Sequence, residues 1–273
     1  MIYIKRNTCM KRNVKFILIL IVCLMLSGCF NNKPAGDGSS WNIVKNRGII
    51  VVGISRDLFP ISYIGKNDEF SGFAVDLLKE ASARLGLQVS FKNLAYKDAI
   101  TALNEGRVDM VLAPEGDINS HDAEIDFVET FIVERQIIAV RQNAAILNKG
   151  DLSGRVIEIL SDGEMSLPEI IYSERIDYLD AIDFSNTEQA LDELMKGKID
   201  AVIGSETKIR YYAAKQYNEI VILNEVLDTK KYSACFKKED KALSDKIKKT
   251  LYRMRKDGSF YSISANWFGI GLP

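Results

Sequence analysis

The sequence has little of several residue types that catalytic and structural sites need. It contains one histidine, His121, so a metal site built from several histidines is not expected and a His-based catalytic triad has a single candidate. With 5 prolines and 18 glycines in 273 residues, the chain is neither collagen-like nor of low complexity. Four cysteines do not make a disulfide scaffold, and 36 basic against 37 acidic residues disfavour nucleic-acid binding. The apolar fraction of 47% excludes a disordered chain, and the length suits about two domains.

The near-zero net charge is the sum of two unlike parts. Residues 1–28 carry five basic residues and no acid, whereas the rest of the chain has 31 basic against 37 acidic residues. Residues 16–26 form an apolar run of 11 residues. This run suits the hydrophobic part of a secretory signal peptide and is shorter than the roughly 20 residues that span a bilayer. A short N-terminal membrane helix is the alternative.

The apolar run ends in a more specific pattern. Residues 26–29 (LSGC) resemble the lipobox of bacterial lipoproteins. The resemblance implies that residues 1–28 are a lipoprotein signal peptide and that the thiol of Cys29 receives a lipid after cleavage. Residues 31–40 are polar and rich in Gly, Ser and Asn, which is typical of a flexible linker. We therefore expect residues 29–41 to tether a folded domain about 20 Å from the membrane.

The remaining chain alternates between strand and helix patterns. β-branched runs at 49–55 and 108–113 predict buried parallel strands, and apolar residues at helical spacing lie between them. A second, similar cycle runs from 156 to 223, so we predict an α/β fold with two lobes. Such sheets bind ligands at the carboxyl ends of their strands. The sequence shows no P-loop, dinucleotide fingerprint, nucleophile elbow or HExxH motif.

Five segments together resemble the extracellular solute-binding proteins of polar amino-acid ABC importers. They occur in the family's order, and together with Gly53, Pro60 and residues 243–260 they extend the resemblance over about residues 46–270. The segments are 72–77 (GFAVDL), 102–109 (ALNEGRVD), 125–127 (IDF), 196–202 (KGKIDAV) and 267–269 (WFG).

This resemblance implies a two-lobed, type II periplasmic-binding-protein-like fold, with a parallel-rich sheet and flanking helices in each lobe. The first lobe is expected at 42–137 and 231–273, and the second at 138–230. The implied function is a lipid-anchored, extracellular substrate-binding component of an ABC importer, which captures a small polar solute by hinge closure. The implied partners are the solute, a membrane permease and the membrane itself through Cys29, with no nucleic acid. We expect a monomer that is not an enzyme and uses no cofactor or metal.

The family's ligand residues are replaced at several positions. The arginine that holds the ligand carboxylate falls on His121, and the aspartate that receives the α-amino group falls on Ser205. Because Glu115 and its neighbours make this loop acidic, the solute is either amino-acid-like or a cationic amine. The candidate ligand-binding residues are Ser55, Arg56, Phe59, Tyr96, Glu115, Gly116, His121, Asp162, Gly163 and Ser205.

Two other functions stay open at this point. A degenerate member of the family would act as a surface sensor or scaffold without transport. A recruited enzyme, such as a dehydratase, would need two cleft carboxylates such as Glu115 and Glu206 as acid and base.

Overall fold

The computed structural model describes residues 39–116, 124–160, 167–182 and 186–271. Eleven strands are found in these ranges. They are β1 (Ile49–Ile54), β2 (Asp57–Leu58), β3 (Ser62–Ile64), β4 (Phe70–Ser71), β5 (Gln88–Asn93), β6 (Met110–Pro114), β7 (Ile125–Arg141), β8 (Val156–Ile159), β9 (Asp180–Ala181), β10 (Ala201–Ser205) and β11 (Ile220–Lys237). The α-helices are α1 (Ser40–Arg47), α2 (Phe73–Arg84), α3 (Ala99–Asn104), α4 (Leu167–Ser173), α5 (Thr187–Met195), α6 (Glu206–Gln216), α7 (Lys241–Lys256) and α8 (Ser259–Phe268).

Eight strands form one mixed sheet in the order β5-β1-β6-β11-β7-β10-β8-β9. β1 pairs in parallel with β5 and β6, and β8 pairs in parallel with β9 and β10. These two parallel groups are the centres of the two predicted lobes, and the α/β fold class is confirmed. The two sheets predicted from the sequence are, however, joined into one by β7 and β11, which run antiparallel to each other.

β7 and β11 are 17 and 18 residues long, far longer than an average strand. The sequence pattern predicts a strand of three residues at 221–223, which is the start of β11. The predicted lobe bounds at 137/138 and 230/231 fall within these two strands, and they stay a prediction.

Apolar clusters cover both faces of each half of the sheet. In β1 the side chains of Ile50 and Val52 pack into one cluster with α2, α7 and α8, while Val51 faces a second cluster with α3. In the other half, Ile203 and Val202 of β10 likewise face two different clusters. Alternation along a strand produces this arrangement, and full burial of such a side chain stabilises the fold by roughly 1.5–3 kcal/mol.

The start of α2 depends on one glycine. Gly72 has a φ of 133°, and a Cβ atom there would lie 2.4 Å from the carbonyl oxygen of Ile61. Any other residue would therefore push the helix away from the β2–β3 hairpin. This hairpin begins directly after β1, so Gly72 helps to position the loop that carries Ser55 and Arg56.

Candidate cleft between the two halves of the sheet

The parallel strands of the two halves end facing each other. β6 ends at Pro114, opposite Tyr232 of β11, and Tyr232 in turn lies opposite Ile132 of β7. β10 ends at Ser205, opposite Gln136 of β7. Ile132 and Gln136 are four residues apart on one strand, which is about 13 Å. The carboxyl ends of both parallel groups therefore meet at the middle of β7 and β11, which we call the junction (residues 132–136 and 228–232).

A buried carboxylate lies at this junction. Glu134 is 6% exposed. The hydroxyl of Ser205 donates to Glu134 Oε1 at 3.1 Å, and the hydroxyl of Thr207 donates to Oε2. The backbone N–H of Thr207 also donates to Oε1, at 3.3 Å. Hydroxyl and backbone donors from the start of α6 thus hold one acidic side chain between the two halves.

Ser205, a candidate from the sequence, also has a structural role. Its hydroxyl accepts from the backbone N–H of Lys208 at 3.2 Å and thereby caps α6. The side chain is 3% exposed. Its hydroxyl connects the helix start to Glu134, so the anionic group at this position belongs to β7 and not to residue 205.

Glu115 lies at the same level of the sheet on the other side of β11. Its backbone N–H donates to the carbonyl of Lys231 at 2.8 Å, while Glu134 is paired with Lys230. The Glu115 carboxylate accepts from the Ser233 hydroxyl at 2.5 Å. Two strand spacings, about 10 Å, separate the backbones of the two glutamates.

An open cavity lies beside Glu115. Its volume is about 500 Å³, and its lining includes Glu115, Gly116, Asp126, Phe127 and Lys238. Gly116 has a φ of 121°, which suits a glycine after the end of β6. Glu115 and Gly116 are both exposed, so the structure places these two predicted residues at an accessible position beside the end of β6.

Glu206 is occupied by ion pairs on the α6 side of the junction. The Arg135 guanidinium contacts both of its carboxylate oxygens, with Nη2 at 2.8 Å from Oε1. Arg210 Nε donates to the same Oε1 at 2.6 Å. The Glu206 side chain is 3% exposed, so it is not available as an acid or base for a substrate. The enzyme alternative therefore loses one of its two carboxylates.

The loop after β1 holds three further candidates. Ser55 is used locally, because its hydroxyl accepts from the Asp57 N–H at 3.2 Å and its carbonyl accepts from the Ser62 hydroxyl at 2.7 Å. The Arg56 side chain is 58% exposed and lies 3.9 Å from the Asp57 carboxylate. The peptide bond between Phe59 and Pro60 is cis.

Phe59 belongs to an aromatic cluster that connects the two predicted lobes. Its ring centroid lies 4.7 Å from that of Tyr211 and 6.0 Å from that of Tyr212, both on α6. On the first-lobe side it lies 4.9 Å from Tyr63. Trp267 of α8 stacks on Tyr211 with a centroid distance of 6.0 Å. We call Phe59, Tyr63, Tyr211, Tyr212 and Trp267 the aromatic cluster.

The remaining candidates are not all placed by the structure. Tyr96 is half-buried and packs against both apolar clusters of the first lobe, so its ring has at least a structural role. His121, Asp162 and Gly163 lie outside the described residues, as does Cys29.

Sequence reasoning missed Glu134 and Thr207. A signal for Glu134 was present, because Glu134, Arg135 and Gln136 are three polar residues in an otherwise apolar stretch. A polar interruption in the middle of a long strand indicates a place where the strand leaves one core before it enters the next. No comparable pattern marks Thr207, which is identified by its contact with Glu134.

In the part of the chain that the structure describes, none of the helices has the length and apolarity to cross a bilayer.

Comparisons with known proteins agree with this architecture. The model of the bacterial extracellular solute-binding proteins, family 3, matches residues 50–270. The L-cystine-binding protein TcyA of Bacillus subtilis is 24% identical over 261 residues, covering 93% of this chain and 95% of TcyA. The glutamine-binding protein GlnH of the same organism is 25% identical and covers 94% of this chain and 97% of GlnH.

A solved structure shows the same fold. It is a polar amino acid ABC uptake transporter substrate-binding protein from Streptococcus thermophilus, with a TM-score of 0.77 and 20% identity. The match covers 86% of this chain and 91% of that protein. With the family model matching most of the chain, the resemblance seen in the sequence is confirmed, and the chain belongs to the bacterial extracellular solute-binding proteins of family 3.

Proposed function

We propose that this chain is the lipid-anchored, extracellular substrate-binding component of an ABC importer. It captures a small polar solute, amino-acid-like or a cationic amine, between its two lobes and presents the closed form to a membrane permease. The facing ends of the two parallel strand groups carry this proposal, because they create a cleft that one rotation about β7 and β11 can close.

The charges at the junction favour a solute with an ammonium group. Glu134 and Glu115 flank β11 at one level, and both carboxylates are fixed by hydroxyl donors. Lys230 pairs with Glu134 and Lys231 lies opposite Glu115, so alternation along β11 places one carboxylate and one lysine on each face of the sheet. A zwitterionic amino acid requires groups of both signs on one face, whereas a simple amine needs only the carboxylate.

The relatives indicate which solutes to test first. TcyA is named for L-cystine and GlnH for glutamine, and both cover nearly the whole chain. A panel should therefore hold cystine, glutamine, the cationic amino acids and polyamines. At a hundred times its Kd, a bound solute stabilises a protein by about 2.7 kcal/mol. For a chain of this size we expect a rise in Tm of about 5–10 °C.

The role of the junction is tested with a matched pair of variants. Glu134→Gln removes a negative charge but keeps an acceptor for Ser205 and Thr207, so the fold should survive. We expect it to weaken binding of the identified solute at least tenfold in calorimetry. Glu219→Gln, an exposed position near the start of β11, makes the same charge change and should leave affinity unaltered. Unchanged binding in Glu134→Gln would remove this carboxylate from the site.

The anchor is tested separately. Intact mass of the membrane-extracted protein should show cleavage before Cys29 and an added lipid, and a Cys29→Ser chain should lack the added lipid mass. Recovery of an unmodified chain that begins at residue 1 would contradict the signal peptide and the anchor together.

A further inference from the structure

Helix α7 presents a strongly basic face to solvent. Its apolar side packs Leu243, Ile247, Leu251 and Met254 into the core of the first lobe. Its exposed side carries six basic residues and one acid, Asp245, along a helix about 24 Å long. The basic residues are Lys241, Lys246, Lys248, Lys249, Arg253 and Lys256. This concentration is notable because the chain after residue 28 is acidic overall.

Aromatic and aliphatic side chains accompany these charges. Tyr252 lies within the basic side of α7 and is 59% exposed. α1 packs against α7, where Lys246 Nζ lies 5.3 Å from the centroid of the Trp41 ring. Ile43 on α1 is 55% exposed. Lysines beside tryptophan, tyrosine and an exposed isoleucine are the combination that binds at a membrane–water interface.

The start of the described chain lies against this same surface. The hydroxyl of Ser40 accepts from the backbone N–H of Leu243 at 3.3 Å, which ties the first turn of α1 to the first turn of α7. The described chain therefore begins beside the basic face, and Cys29 lies ten residues before its first residue, Ser39. A tether of about ten residues has an average span of about 17 Å, so a lipid on Cys29 would hold this surface near the membrane.

We propose that the exposed sides of α7 and α1 bind anionic lipid headgroups and orient the tethered domain on its membrane. The nearness of the membrane rests on the proposed anchor, whereas the affinity of the surface for anionic lipid does not. None of the described candidate ligand-binding residues lies on α1 or α7, so lipid bound at this face does not occupy a candidate residue. Binding at this surface restricts the rotation of the domain and with it the directions in which the cleft can point.

The test uses the processed chain with Cys29→Ser, which carries no lipid, so that its outcome is independent of the anchor. The protein is sedimented with vesicles of phosphatidylglycerol and phosphatidylcholine in equal parts, and with phosphatidylcholine alone. We expect binding to the anionic vesicles, little binding to the neutral ones, and release at high salt, where the screening length falls from about 10 Å to about 3 Å.

Two variants of equal charge change locate the surface. Lys248→Glu with Lys249→Glu should weaken vesicle binding by about 30-fold or more, since each basic residue near an anionic surface contributes about one factor of five. Lys66→Glu with Arg175→Glu, both exposed and outside α1 and α7, should bind almost as well as the parent. The paired substitution Lys248→Gln with Lys249→Gln should also weaken vesicle binding, and it introduces no acidic residue.

Absence of phosphatidylglycerol-dependent binding, or equal loss in both charge-reversed pairs, would overturn the proposal. Thermal melts of all variants exclude unfolding as the cause. The cleft is read out independently by solute binding, which the α7 variants should retain. Loss of vesicle binding with intact solute binding is therefore assigned to this surface. A failed solute screen counts against the proposed function and not against lipid binding.

Discussion

Removal of the Phe59 ring should shift the chain toward an open arrangement of its lobes. Phe59 lies in the first lobe, yet its ring contacts Tyr211 and Tyr212 of α6 at centroid distances of 4.7 and 6.0 Å. Aromatic pairs of this kind contribute about 0.5–1.5 kcal/mol each beyond the area they bury. Phe59→Ala therefore removes about 1–3 kcal/mol of attraction between the lobes.

This free energy sets the size of the effect on solute binding. A change of 1–3 kcal/mol corresponds to a factor of about 5–150 in the balance of two states. If the solute binds firmly to the closed form alone, its apparent Kd rises by up to the same factor. The radius of gyration of the solute-free protein should rise in small-angle X-ray scattering, and added solute should bring it back to the parental value.

Phe91→Ala is the matched control. Phe91 makes its ring contact with Phe70, at 5.8 Å, within the first lobe. Its removal should lower Tm in the same way as Phe59→Ala, but leave the radius of gyration and the solute affinity close to those of the parent. An unchanged radius and affinity in Phe59→Ala, or equal changes in both variants, would refute the idea that the aromatic cluster holds the lobes together.

Three other predictions concern the fold and its charges. Burial raises the pKa of the Cys235 thiol to about 12, so it should resist alkylation at pH 8 and react fully in urea; labelling of the native chain would contradict this. Gly269 has a φ of 72°, and a Cβ there would lie 2.9 Å from that of Ala214, so Gly269→Ala should lower stability by about 1–3 kcal/mol in urea titrations, and an unchanged midpoint would argue against this close contact. A hydrogen bond from Arg84 lowers the pKa of Asp257 from 3.8 to about 2. The contribution of the ionised Asp257 to folding stability is therefore present above pH 4 and is lost as the pH falls from 4 to 2. Arg84→Gln should flatten this part of the urea-midpoint profile, whereas an identical profile would show that the pair does not affect stability.

Local pattern was sufficient for the elements that lie within one lobe. The apolar spacing of residues 187–195 predicts a helix that ends before Gly197, and α5 (Thr187–Met195) has those bounds, with Asn186 capping its first turn. The strand of β1 follows from its β-branched run in the same way. In both cases the signal and the structure that it specifies are close in sequence.

Features that depend on both lobes were harder to predict. β7 and β11 change their apolar environment halfway along, so the polar residues Glu134, Arg135 and Gln136 resemble a break in a strand although the backbone continues through them. Family resemblance drew attention to residue 205, but the carboxylate beside it comes from Glu134, 71 positions earlier. Spacing along the chain does not reveal a pair of that kind.

The contact between Ser40 and Leu243 has a consequence for export. The first lobe takes its opening strand from residue 49 onward, but its β6 pairs with residues 232–235 of β11, and its outer layer includes α7 and α8. A chain that crosses a membrane from its N-terminus therefore cannot complete this lobe until nearly all of it has passed. The predicted interleaved order of the lobes would keep the leading part of the chain without its final packing partners during translocation. A truncation before residue 241 should accordingly leave the second lobe covalently whole and the first lobe unable to fold.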